Sequence, residues 1–109
     1  MSVPARTLIN VPAKAKRGDV IAIRSLISHQ MENGFRHDSS GKPIPRNIIT
    51  SLVCTYNGDE IFSATLYPAI SANPFFTFNT VATESGTIAF RWTGDNGFVA
   101  EASAKIAVE

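Results

Sequence analysis

The constraint that bears hardest on this chain is the period of its apolar residues. From Phe98 to Val108 every second position is apolar, namely Phe98, Ala100, Ala102, Ala104, Ile106 and Val108. Side chains alternate across a strand, so this series loads one face of a strand and would scatter around a helix. The alanines suit a helix in composition, but the unbroken two-residue period decides for strand. The same period recurs upstream. Val20 to Ser28 sets Ile21, Ile23 and Ile27 against Ala22, Arg24 and Ser28, and Thr87 to Thr93 puts Ile88, Phe90 and Trp92 on one face.

Turn chemistry separates these runs. Thr7 to Val11 is a first strand, stopped by Pro12, and Arg17-Gly18-Asp19 turns the chain into the second. Asn47 to Tyr56 reads as a strand with Ile48, Leu52 and Tyr56 on one face and Ile49 and Val53 on the other. Asn57-Gly58 then suits a two-residue hairpin turn in which both central residues take positive φ. Ile61 to Leu66 returns, Phe75 to Val81 adds a strand bearing Phe76 and Phe78, and Gly94-Asp95-Asn96-Gly97 turns into the last run. The expectation is all-β: an immunoglobulin-like β-sandwich of about seven strands, one domain over residues 1–109. Trp92, Leu52 and Phe76 or Phe78 should share its core.

Several function classes drop out. The net charge is +1, and the basic cluster Lys14, Lys16 and Arg17 reads as a solvated turn, so no nucleic-acid partner is expected. No apolar run approaches a membrane span, and Met1 to Thr7 carries no apolar signal region. By these features alone the chain would be cytoplasmic. Cys54 is the sole cysteine, flanked by Val53 and Thr55 in mid-strand, and reads as a buried core residue. Asp59 and Glu60 are neighbours on a strand and point to opposite faces, and Glu84 lies in another turn, so no carboxylate pair forms. There is no nucleophile elbow, phosphate loop or dinucleotide fingerprint.

A small metal or redox site is the rival reading. His29, Met31, His37 and Cys54 are the ligand types of a blue-copper centre, but no His follows Cys54. His29 and His37 with Glu32 and Asp38 match no closed zinc spacing. No cofactor is expected. What remains is His29 to Arg46, which contains Asn33-Gly34, Ser39, Ser40, Gly41, Pro43 and Pro45 and follows neither period. Long ordered loops are usually functional. Its Met31, Phe35 and Ile44 either fold onto the core or meet a partner.

Several stretches in fixed order resemble one family. They are Leu26-Ile27-Ser28-His29, Met31-Glu32, Gly34-Phe35-Arg36, Ile44-Pro45-Arg46-Asn47-Ile48-Ile49 and Cys54-Thr55-Tyr56-Asn57-Gly58, then Asn73-Pro74-Phe75, Thr80-Val81-Ala82-Thr83-Glu84-Ser85-Gly86 and Trp92-Thr93-Gly94-Asp95. Together they look like the SoxZ family over about Leu8 to Val108. The resemblance implies a non-catalytic subunit of the SoxYZ carrier of thiosulfate oxidation. SoxY would bear the sulfur on a cysteine of its flexible C-terminal arm, and the loaded arm would visit other Sox enzymes. It also implies periplasm rather than cytoplasm, by export in complex with SoxY. The sulfur-bearing motif does not carry over, because this chain ends Lys105-Ile106-Ala107-Val108-Glu109. The candidate partner-binding residues are His29, Met31, Phe35, Arg36, Ile44 and Arg46.

Overall fold

Apolar alternation turns directly into burial along the third strand of the computed structural model, which describes residues 6–70 and 72–109. Residues 1–5, on which most of the amino-terminal reading rested, lie outside that range. The strands are β1 (Thr7–Asn10), β2 (Lys14–Ala15), β3 (Val20–Ile27), β4 (Ile49–Tyr56), β5 (Asp59–Thr65), β6 (Phe75–Val81), β7 (Gly86–Gly94) and β8 (Val99–Val108). On β3, Ile21, Ile23, Ser25 and Ile27 point inward and Val20, Ala22 and Arg24 outward. The two sheets are ordered β1-β3-β6 and β2-β8-β7-β4-β5. The immunoglobulin-like sandwich expected from the sequence is the observed architecture.

The core lies between the sheets, as two one-sided sheets require. Trp92, Leu52, Cys54, Ile23 and Ile27 are all 0% exposed. The rings of Phe90 and Trp92 stack at 5.6 Å, Phe78 leans on Phe90 at 6.3 Å, and Phe62 of β5 stacks on Phe78 of β6 at 4.3 Å. Aromatic contact thus runs from the middle of the large sheet to the side where the two sheets meet. β8 supplies small residues: Ala100 and Ala102 oppose Trp92 and Phe90 across the ladder, leaving room for the large rings.

Two details differ from the sequence reading. The basic segment expected to be only a turn contains β2, where Lys14 and Ala15 pair in parallel with Ala107 and Val108. This makes eight strands among the described residues. Two residues carry no readable period, and this pairing reaches across almost the whole chain. On β4, Ile49 is as buried as Leu52, not on the opposite face. The register with β7 shifts between Ile49 and Ser51, and this bulge returns Ile49 to the inner side.

The Asn57-Gly58 turn is as expected, with φ of 51° and 87°. Beyond it the Tyr56 hydroxyl is held by the loop between β6 and β7. It accepts from the N–H groups of Thr83 and Glu84, each at 3.3 Å, and donates to the Glu84 carbonyl.

Candidate functional site: the 29–46 loop and its anchors

Residues 29–46 form a long irregular excursion between β3 and β4. Its main chain folds back on itself. Glu32 and Asn47 exchange two backbone hydrogen bonds, at 2.9 and 2.8 Å, and Ile44 N–H donates to the Arg36 carbonyl at 2.9 Å. Asp38 organises the tip: its Oδ1 accepts from the N–H groups of Ser40 and Lys42 and from the Ser40 hydroxyl. These bonds hold the Asp38 carboxyl below its ordinary range, the Ser40 hydroxyl contributing most. Gly34, at φ +86°, lets the two arms close, since a Cβ there would lie 3.0 Å from the Cβ of Arg46.

The six candidate residues divide by where their side chains go. Met31 is buried at 5% exposure, and its Sδ accepts the Ile49 N–H at 3.3 Å. Of the two placements the sequence left open for Met31, the core or a partner, its side chain takes the core. His29 Nδ1 accepts the Met31 N–H at 2.9 Å, and the ring stands edge-on to Phe98 at 5.0 Å. His29 N–H donates to Asn73 Oδ1 at 2.8 Å, and Asn73 N–H donates to the His29 carbonyl at 2.7 Å. Burial pushes the imidazole pKa down, partly offset by the charge of Asp95.

Arg46 fastens the other end. Its Nε and Nη2 fork onto Asp95 Oδ2 and Oδ1 at 2.9 and 2.8 Å. Asp95 Oδ2 also accepts the Ile48 N–H at 3.1 Å, while Asp95 N–H donates to the Ile48 carbonyl at 2.9 Å. Arg46 first, then Ile48, hold the Asp95 carboxyl below its ordinary range. A bidentate guanidinium–carboxylate pair backed by main-chain bonds fixes direction as well as distance.

Of the other three candidates two are displayed and one is half-buried. Phe35 is 76% exposed although its own N–H is tied to Asn33 Oδ1 at 2.8 Å. Arg36 pairs with Glu32 and remains mostly in solvent. Ile44 is half-buried on the facing arm. The result is an anchored loop presenting an aromatic ring beside an ion pair.

The rival metal set is not assembled. Among the described residues, His29, His37 and Cys54 form no group that could hold a metal ion. His29 Nδ1 and Met31 Sδ are each engaged by a backbone N–H. Cys54 faces the core opposite Phe62 and Phe90, and burial pushes its thiol up to about 12.

Sequence reasoning missed Asn73 and Asp95 as partners of this loop. Both lie in short stretches carrying the family resemblance, Asn73-Pro74-Phe75 and Trp92-Thr93-Gly94-Asp95. The signal was present in the motifs, but their contacts with His29 and Arg46 are visible only in three dimensions.

The fold and this site define an immunoglobulin-like sandwich whose long loop is pinned to the body and offers its tip outward. The chain belongs to the SoxZ family: residues 9–105 match the family described as "Sulphur oxidation protein SoxZ". Its setting is therefore sulfur oxidation. No curated protein matches the chain.

Among solved structures, the superoxide reductase (neelaredoxin) of Ignicoccus hospitalis matches at TM-score 0.72 and 19% identity, over 94% of this chain and 80% of that one. The sulfur carrier protein SoxY of Chlorobium limicola f thiosulfatophilum matches at TM-score 0.66 and 11% identity, over 94% of this chain and 78% of that one. A putative superoxide reductase of Thermotoga maritima matches at 0.68 and 18%, over 94% of this chain and 85% of that one. At these identities the likeness is one of fold.

Proposed function

We propose that this chain is the non-catalytic partner of a sulfur-carrying SoxY subunit. It binds that subunit through the displayed part of the 29–46 loop and helps present its loaded cysteine arm to other Sox enzymes. The observation that carries the reading is Phe35, a ring left 76% exposed on a loop whose two ends are both pinned. An exposed aromatic on a preordered segment loses little further entropy on binding, which is what an interface anchor requires. Arg36 and the half-buried Ile44 extend the surface, and His29, Met31 and Arg46 set its geometry.

The protein's own thiol supports the scaffold role. A carrier must expose a thiolate to several enzymes in turn, whereas Cys54 is enclosed and its thiol is pushed up to about 12. We place the working complex in the periplasm, reached in association with SoxY, and fractionation of cells with and without an exportable SoxY tests this.

The binding test is Phe35→Ala, measured by titration calorimetry against SoxY. Affinity should fall by about 1–2 kcal/mol, with the melting temperature unchanged. Hydrogen exchange over residues 29–46 should slow on complex formation. Unchanged affinity together with unchanged exchange throughout the loop would remove it from the interface.

A further inference from the structure

Four strands form the outer edges of the two sheets: β1 and β6 of the small sheet, β2 and β5 of the large one. An open edge offers unpaired main-chain groups to any other strand, and proteins usually blunt it. Three of these edges are blunted. β1 has four residues and is followed closely by Pro12, and β2 has only two residues, one of them Lys14. β5 carries Asp59 and Glu60, and its pairing jumps from Phe62 to Glu60, which leaves Ile61 as a bulge.

β6 is the least protected of the four: Pro74 stands just before its first residue, but nothing within its seven residues blunts it. Phe-Phe-Thr-Phe-Asn-Thr-Val contains no charge and no proline. Its register with β3 is unbroken from Phe75↔Leu26 to Val81↔Val20. Among the described residues it pairs with β3 alone. The outer face of the strand also keeps Phe75 60% and Val81 47% exposed.

We infer that the free edge of β6 binds the β6 edge of a second copy of this chain, antiparallel about a twofold axis at Phe78. The two small sheets then join into one continuous sheet. The strand is self-complementary in that register. On the outer face Phe75 meets Val81 and Thr77 meets Asn79, each contact occurring twice. On the inner face Phe76 meets Thr80, and Phe78 meets its own copy. Apolar faces apolar at both exposed positions, and no like charges oppose. A slip of two residues would set Phe75 against Asn79 and strand Val81, so the apolar ends select the register. A second copy is the occupant that matches this edge residue for residue, as an isologous contact demands.

The experiment uses the purified chain alone, so it is independent of SoxY binding. Sedimentation equilibrium should show a reversible dimer, and hydrogen exchange over Phe75–Val81 should slow as concentration rises. Thr77 and Asn79 are exposed on the outer face, so charges there leave the core intact. Thr77→Lys with Asn79→Lys should weaken dimerisation at least about tenfold, since like charges then lie directly opposite one another. Thr77→Glu with Asn79→Glu should do the same. An equimolar mixture of the two charge variants should restore a one-to-one dimer. A wild-type chain that stays monomeric at all concentrations overturns the inference. So does a Lys variant that dimerises as tightly as wild type, or a mixture of the two variants that fails to pair.

Discussion

Cys54 separates a carrier from a scaffold by the state of one sulfur. The thiolate is the nucleophile, so covalent loading needs an accessible group with an accessible pKa. Cys54 has neither: it is 0% exposed, and burial alone pushes the thiol up to about 12. Cys54→Ala should therefore leave thiosulfate loading of the proposed complex with SoxY unchanged. It should cost about 1 kcal/mol of stability, for a small core deletion. Mass spectrometry of both subunits after turnover checks the first part and denaturant titration the second; an adduct on this chain would refute the scaffold role. This burial was legible in the sequence, because a cysteine between Val53 and Thr55 in a period-two run has one side to face. The side chain of Met31 was not. Nothing in an aperiodic segment tells whether a thioether turns inward, and the decisive contact is with Ile49, eighteen residues on.

At the scale of elements, legibility follows the range of the forces that fix each one. β3, β6, β7 and β8 were readable because alternation is written in consecutive residues. The Asn57-Gly58 turn was readable because positive φ narrows the choice of residue. β2 and the bulge at the start of β4 were not, since each depends on a distant strand. The 29–46 loop is the extreme case, because its anchors come from Asn73, Asp95 and Phe98 on other segments. Its ends should respond to pH in opposite chemical senses but the same direction. His29 must be neutral for Nδ1 to accept the Met31 N–H, and burial lowers its pKa from the ordinary 6.5. The unfolded imidazole thus binds a proton more readily. Its contribution is full above 6.5 and is lost as pH falls from there through the depressed folded value. Asp95 is a depressed carboxylate, so its contribution persists above the ordinary 3.8 and is lost as pH falls through its own lower value. Hydrogen exchange of the Met31 amide should accelerate first on acidification, and that of Ile48 only in stronger acid. His29→Phe should remove the first step and keep the second. Simultaneous loosening of both ends in wild type would show that the anchors do not act separately.

The whole molecule is held by pairings between distant parts of the chain. The hairpins β4–β5 and β7–β8 are local, but β4 pairs with β7, β3 pairs with β6, and Lys14 lies beside Ala107. The local hairpins can form within microseconds, yet neither has a partner sheet to cover its apolar face. The core needs both sheets: Trp92 and Phe90 on β7 lie beside Leu52 and Cys54 on β4, in one cluster with Ile23 of β3 in the other sheet. Closing such long loops is entropically costly before any of those contacts form. Folding should therefore take milliseconds to seconds, in the range of all-β sandwiches rather than helical bundles. Trp92 makes this measurable, since it is the only tryptophan and is 0% exposed. Its emission should shift to the red on unfolding, and stopped-flow refolding should recover the blue-shifted signal with a main phase slower than about a millisecond. A truncation that removes β8 should abolish this recovery, because Ala100 and Ala102 line the side of Trp92 and Phe90 that would then open to water. Microsecond recovery of Trp92 burial, or its survival without β8, would mean that a local hairpin alone encloses the ring and that the two-sheet core is not what stabilises the fold.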